Sequence, residues 1–216
     1  MLSGNITLGV PPLDSHRGGW IEIIAGGMFS GKSEELIRRL RRSVIARQRV
    51  QVFKPLLDDR FATDEVVSRD ERRLKAVAVA TSAELLARVE IGVQVVGVDE
   101  IQFFDAGIID VCMQLADAGI RVIAAGLDQD YQRRPFGPMP GLLAVAEEVS
   151  KMHAVCVRCR GAAHYSQRLS GGNAQVEVGD SSYEARCRHC FESYHAAPEE
   201  APAVQLTIPQ AVAGNA

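Results

Sequence analysis

Trp20-Ile-Glu-Ile-Ile-Ala25, then Gly26-Gly-Met-Phe-Ser-Gly-Lys-Ser33, then Glu34-Glu-Leu-Ile-Arg-Arg-Leu40 follow one another without a break. The first segment is a short, β-rich apolar run and predicts a strand. From Ser33 to about Arg47, Leu36, Ile37, Leu40 and Val44 recur on one face while Arg38, Arg39, Arg41 and Arg42 spread over the rest, which predicts an amphipathic helix. Between them lies the pattern G-x-x-x-x-G-K-[ST]. Its glycines let the backbone curl so that successive N–H groups turn inward on phosphate oxygens, and the helix adds its positive dipole end. Gly26, Gly27, Met28, Phe29, Ser30, Gly31, Lys32 and Ser33 would line the phosphates, with Lys32 facing the β- and γ-groups and the Ser33 hydroxyl on Mg²⁺. The competing reading is a glycine turn with a chance Lys-Ser. The flanking strand and helix are the context that a phosphate loop requires.

Further strands are expected at Val50 to Phe53, Gln94 to Val98 and Arg121 to Ala125, each apolar on both faces. Helical periodicity intervenes at Ile108, Ile109, Cys112, Met113, Leu115 and Ala116, and Thr81-Ser-Ala-Glu84 is a capping box opening a short helix. Strands that are apolar all round and alternate with helices indicate an α/β protein, a mostly parallel sheet flanked by helices on both sides. Pro55 to Arg69 reads as a charged loop. The expected division is an irregular leader (1–19), a nucleotide-binding α/β domain (20–150), a small metal-bearing unit (151–195) and a loose tail (196–216).

A phosphate loop needs a carboxylate at the end of a neighbouring strand to hold the metal, and Val98-Asp99-Glu100 offers two. Consecutive strand-end residues point in different directions. Asp99 would face Mg²⁺, directly or through water, and Glu100 would face the acceptor hydroxyl as general base. The plainer alternative makes one of them a solvated acid. In Asp58-Asp59-Arg60, Arg60 either stabilises charge on the transferring phosphoryl group or is simply solvated.

Cys156-Val-Arg-Cys159 and Cys187-Arg-His-Cys190 are separated by 27 residues, and two C-x-x-C knuckles suit a tetrahedral Zn²⁺ with four thiolates. His189 as a substitute ligand is the chief alternative. The spacer, with Ala162 to Leu169 and Gln175 to Val178 around Ser170-Gly-Gly-Asn173, reads as a β-hairpin or flap. A unit this small needs such a metal staple. Cys112, the fifth cysteine, falls on an apolar helical face and reads as a buried small hydrophobe.

Composition excludes several classes. The 216 residues are 47% hydrophobic and 24% charged, which is ordinary for a globular chain and unlike collagen, coiled coils or disordered proteins. A net charge of −3 supplies no global field for nucleic acid. No apolar run approaches the ~20 residues of a membrane span. Met1 to Arg17 carries no secretory pattern, and the chain reads as cytoplasmic.

Five segments together resemble the type II thymidine kinases, the zinc-containing P-loop deoxynucleoside kinases. They are Gly26 to Ser33; Phe53-Lys-Pro with Asp58-Asp-Arg60; Val98-Asp-Glu-Ile-Gln-Phe-Phe104; Gly126-Leu-Asp-Gln-Asp-Tyr-Gln-Arg-Arg-Pro-Phe-Gly137; and the cysteine knuckles with Gln175-Val-Glu-Val-Gly179 and Tyr183 between them. The resemblance runs from about Trp20 to Tyr194 and implies a RecA-like P-loop NTPase sheet with a zinc-binding lasso. It implies an ATP-dependent thymidine kinase of nucleotide salvage, moving the γ-phosphoryl of ATP-Mg²⁺ to the 5′-hydroxyl of thymidine or deoxyuridine. Glu100 matches the family's base, with Lys32 and Arg60 as catalytic companions and Gln102 beside Asp99 in the ATP-binding set. Met28, Phe103, Leu127, Tyr131 and Phe136 match positions near the nucleoside. Val176, Glu177, Val178, Gly179 and Tyr183 match the flap that closes over the base. A homotetramer and feedback inhibition by dTTP are likewise implied, with neither nucleic acid nor membrane as partner. The sequence departs from the family at Gly27, often Pro; at Ser68-Arg-Asp-Glu71, where a His is usual; and between Gly179 and Tyr183, about one residue short.

Two other functions fit parts of the pattern. An adenylate-kinase-like monophosphate kinase would need an Arg clamp and a metal unit inserted mid-chain, whereas here the knuckles come last. A zinc-ribbon nucleic-acid module fused to an ATPase would present Arg158, Arg160, Arg168, Arg186 and Arg188 on its surface.

Overall fold

A computed structural model describes residues 18–56, 65–67, 73–170 and 182–192. The quoted stretch forms strand β1 (Ile21–Gly26) and helix α1 (Lys32–Ile45). The chain continues through β2 (Val50–Pro55), β3 (Glu65–Val67), β4 (Arg73–Lys75), β5 (Val77–Val79), α2 (Ser82–Arg88) and β6 (Val95–Val98). Then come α3 (Ile108–Asp117), β7 (Arg121–Gly126), α4 (Met139–Val145) and β8 (Glu148–Met152). The last elements are the short strands β9 (Ala154–Val155), β10 (Ala162–Ala163), β11 (Tyr165–Arg168) and β12 (Tyr183–Arg186).

Six strands make one sheet in the order β5-β2-β6-β7-β1-β8, and every pairing in it is parallel. Side chains alternate across it, as the pleat requires. Ile21, Ile23, Val96, Val98, Val122 and Ala124 pack on one side with Leu85, Val111, Cys112, Leu115 and Leu142 from α2, α3 and α4. Ile24, Val95, Ile123 and Ala125 pack on the other with Leu36, Ile37 and Leu40 from α1. The expected helix-flanked parallel sheet is therefore present, and Cys112 is core, its thiol pushed up to about 12 by burial.

Several local expectations differ. Val44 is 52% exposed and Ser43, three residues after Leu40 on the same face, takes the inward position, where its hydroxyl accepts from Arg121 of β7. On α3, Met113 faces outward while Val111 is buried. Part of the charged loop after β2 is strand: β3 pairs antiparallel with β4. At α2 the Thr81 hydroxyl accepts from the Glu84 N–H at 3.1 Å, but the Glu84 carboxylate reaches back to the Ala80 N–H rather than to Thr81. The hairpin strand β11 pairs with β12, further along than the expected 175–178 segment, which lies outside the described residues.

β1 also carries a buried acid. Glu22 is 1% exposed on the α1 side of the sheet. It accepts from Arg39 Nη1 at 2.8 Å, Arg121 Nε at 2.5 Å and the Trp20 indole N–H at 2.8 Å. Burial opposes its ionisation, but Arg121, Arg39 and Trp20 outweigh burial and hold its pKa below the usual range. A depressed acid pKa contributes stability above the unfolded-state value and loses it as pH falls. Glu22→Gln should therefore cost roughly 3 kcal/mol at pH 7, the scale of a broken buried ion pair. Urea melts should show the gap to the parent closing below roughly pH 4, where the unfolded carboxylate also protonates.

Candidate active site

The segments that follow β1, β6, β7 and β8 all leave the sheet at its carboxyl end, where open α/β sheets collect ligands. The 26–33 loop turns there on Gly31 (φ 81), which is also the N-cap of α1. Phe29 shares this left-handed region at φ 65, a conformation that a residue with a Cβ holds only when its surroundings enforce it. They do: its ring packs against the cluster of Ala154, Cys156, Ala163 and Ala185. At Gly26 a Cβ would stand 2.5 Å from the Met152 carbonyl oxygen, so β8 can lie against the loop only because that position is glycine.

Inside the loop, Lys32 is buried and its ammonium donates to the Gly27 carbonyl at 2.8 Å, as does the Ser30 hydroxyl. Burial lowers the Lys32 pKa, while Glu100, Asp99 and Asp128 pull it back up. The Ser33 hydroxyl stands 3.3 Å from Asp99 Oδ1, which also accepts from the Glu100 N–H at 3.1 Å. These residues thus form one patch: a buried cation, a hydroxyl and two carboxylates. Burial first, then the neighbouring Glu100 charge, pushes the Asp99 carboxyl up to about 7.

Glu100 sits at φ 51, a left-handed non-glycine residue between β6 and a single 3₁₀ turn at Ile101–Phe103. That kink separates its direction from that of Asp99. The Gln102 amide donates to Glu100 Oε2, and Gln102 Oε1 accepts from the Leu127 N–H at 3.0 Å. Gln102 is thus a buried strut (2% exposed) between Glu100 and the segment after β7. Beside it, Phe103 and Phe136 meet edge to face, with ring centroids 5.5 Å apart.

The β11–β12 ladder lies against the loop. The Met28 N–H donates to the Ser166 hydroxyl on β11 at 2.9 Å. Arg168 on the same strand lies over the Tyr131 ring at 3.7 Å, and its Nη2 donates to the Tyr183 hydroxyl at 2.5 Å. Tyr131 and Tyr183 are therefore brought together, through a residue that the sequence offered only as a surface cation. Arg168 is 1% exposed and Arg186 is 2% exposed, the latter held by Glu184 and the Cys190 carbonyl. Neither is available to a nucleic-acid surface. Arg60 and Val176 to Gly179 lie outside the described residues.

Cys156, Cys159, Cys187 and Cys190 place their sulfurs within 4.8 Å of one another, and His189 is not in the group. Burial opposes the Cys156 thiolate, but backbone N–H groups of Cys159, Cys187 and Arg158 prevail and bring its pKa down to about 6. Burial and the neighbouring sulfurs push Cys190 up to about 12. Thiols this close cannot all ionise without a cation between them, and a four-sulfur cluster of this size suits tetrahedral Zn²⁺. The residues present fit the metal.

Sheet, loop and cysteine group define a P-loop α/β protein with a four-cysteine cluster suited to a metal. The family model described as thymidine kinase matches residues 19–191. A thymidine kinase of Rhodothermus sp. is 52% identical over 185 residues, 84% of this chain and 86% of the relative. One of Porphyromonas gingivalis is 51% identical over 187 residues, covering 86% and 91%. One of Bacteroides thetaiotaomicron is 51% identical over 179 residues, covering 82% and 89%. The chain belongs to the thymidine kinase family.

The Asp99 shift has a measurable sign. With its folded pKa above the unfolded value near 4, the ligand-free native state binds a proton that the unfolded state releases, so stability falls as pH rises from about 4 to 7. Asp99→Asn should remove that slope. Thermal melts without metal or nucleotide should find the variant more stable than the parent at pH 8, with the gap narrowing as pH falls and closing below about pH 4, where folded and unfolded states are both protonated.

Proposed function

We propose that the chain transfers the γ-phosphoryl group of ATP to the 5′-hydroxyl of thymidine, or of deoxyuridine, yielding the 5′-monophosphate and ADP. The observation that carries this reading is the gathering of the buried Lys32 and Asp99 with Ser33 and Glu100 at the carboxyl end of the sheet, with Glu100 braced by Gln102. Family membership supports the choice of nucleoside and donor.

In this mechanism the loop N–H groups and Lys32 hold the β- and γ-phosphates. Mg²⁺, bound by Ser33 and by Asp99 directly or through water, would neutralise charge on the triphosphate. Glu100 accepts the proton of the 5′-hydroxyl as its oxygen attacks phosphorus, and the Gln102 amide keeps the accepting carboxylate oriented. Arg60 stabilises charge on the moving phosphoryl group. Phe103, Tyr131, Phe136 and Leu127, with Met28, bound the nucleoside, and Val176 to Gly179 with Tyr183 cover its base. Leaving buried polar groups unpaired with a wrong base gives such a pocket its discrimination. The small unit, from about 151 to 195, carries structural zinc on its four cysteines. A homotetramer, inhibition by dTTP and a cytoplasmic location complete the reading. Among the described residues no helix is long and apolar enough to cross a membrane.

Phosphate transfer from ATP should occur to thymidine and not to dTMP or AMP. Turnover with a monophosphate but no nucleoside would contradict the assignment. Glu100→Gln should keep ATP binding and lower kcat by roughly 10² or more, the scale of a general base. A near-normal kcat would remove Glu100 from that role. Metal analysis should find one zinc per chain, lost in the Cys156→Ser/Cys187→Ser double variant. Unchanged metal content there would refute the site.

A further inference from the structure

Among the described residues, Arg168 is the largest side chain that is fully buried. Burying a guanidinium costs several kcal/mol unless its surroundings replace water, so its contacts show what holds it. Its carbon lies 3.7 Å from the centroid of the Tyr131 ring, close enough for a strong face-on cation–π contact. Nε and Nη2 both donate to the Tyr183 hydroxyl, at 3.2 and 2.5 Å. Tyr131 belongs to the segment after β7, on the sheet-bearing part of the chain. Tyr183 stands directly opposite Arg168 in the β11–β12 ladder of the zinc-bearing part. One side chain thus bridges an aromatic ring on each part.

We propose that Arg168 is a positioning residue for the nucleoside: its guanidinium, pressed on Tyr131 and holding the Tyr183 hydroxyl, sets the separation of two aromatic walls between which the substrate binds. This rests on the reading that Tyr131 and Tyr183 line the nucleoside site. Arg suits the task because its planar fork presents a face to one ring and paired N–H donors to one oxygen at once. A Lys ammonium would keep the charge but lose the paired donors. The bridge acts on the nucleoside side of the site. The contacts described for Lys32, Ser33 and Asp99 do not include it, so its loss should affect one substrate and spare the other.

The test is steady-state kinetics on the full-length, zinc-loaded protein, with KM for thymidine and for ATP determined separately in the parent, Arg168→Met, Arg168→Lys, Tyr183→Phe and the Arg168→Met/Tyr183→Phe double variant. Arg168→Met should raise the thymidine KM roughly tenfold or more, the scale of one charge-assisted hydrogen bond, with the ATP KM within about twofold of the parent. Arg168→Lys should fall between the two. Tyr183→Phe removes only the hydroxyl, so it should fold normally and shift the thymidine KM in the same direction. The double variant should be little worse than Arg168→Met, because both changes break the same bridge. A thymidine KM within twofold of the parent in Arg168→Met, or in Tyr183→Phe if Arg168→Met does not fold, would overturn the proposal, as would equal rises in both KM values. A parent protein that phosphorylates no thymidine would instead overturn the nucleoside-site reading itself, and this assignment with it.

Discussion

The site is organised by an ammonium group taken out of water. Lys32 begins α1 and is buried, and its pKa falls with that burial. An uncompensated buried cation would be far too costly, so carboxylates at the ends of two other strands must face it. Asp99 and Glu100 after β6 and Asp128 after β7 provide the opposing charge. The same geometry raises the cost of ionising Asp99, whose carboxyl sits near 7 in the ligand-free protein. Cation and acids are each uncomfortable alone. A phosphate and its metal, placed between them, would relieve both. The parallel sheet makes this possible because it sends every strand's carboxyl end to one edge.

The part that carries the four cysteines is built into that arrangement. Phe29, in its left-handed conformation, packs on the small cluster that contains Cys156, with Cys187 and Cys190 against it. Ser166 takes the Met28 N–H, and a Cβ on Gly27 would press on the His164 carbonyl at 3.3 Å. The phosphate loop therefore has a second support besides β1 and α1. A metal that held the knuckles closed would also hold one wall of the loop in place.

Much of this was legible in the sequence because it is carried by local pattern. The strand–loop–helix run from Trp20, the apolar strands and each C-x-x-C knuckle announce themselves in short contiguous stretches. The aromatic walls came from resemblance to a family, whereas Glu100 was already marked by the two adjacent carboxylates at a strand end. What stayed hidden depends on long-range partners. Glu22 looks like a polar interruption of a strand until Arg39 and Arg121, 17 and 99 residues away, are seen to converge on it. Arg168 reads as a surface cation because Tyr131 and Tyr183, which enclose it, stand far from it in sequence. Arg186 has Glu184 and the Cys190 carbonyl only two and four residues away, but its burial follows from the fold rather than from that spacing. Val44 obeyed the helical period and still faces outward, since Ser43 fits the same period and has Arg121 as a partner on the inward side. Gln102 offered no pattern for its role as a brace, which is a matter of one 3₁₀ turn after β6.

The central claim is that Glu100 is the group that meets the acceptor hydroxyl while the loop ending at Lys32 and Ser33 grips the donor. A crystal structure with thymidine, Mg²⁺ and a non-hydrolysable ATP analogue tests it most directly. The account places the sugar's 5′-oxygen within hydrogen-bonding reach of the Glu100 carboxylate, about 3 Å, and in line with the γ-phosphorus. A 5′-oxygen held by another acid, or lying well beyond such reach with both substrates bound, would contradict it.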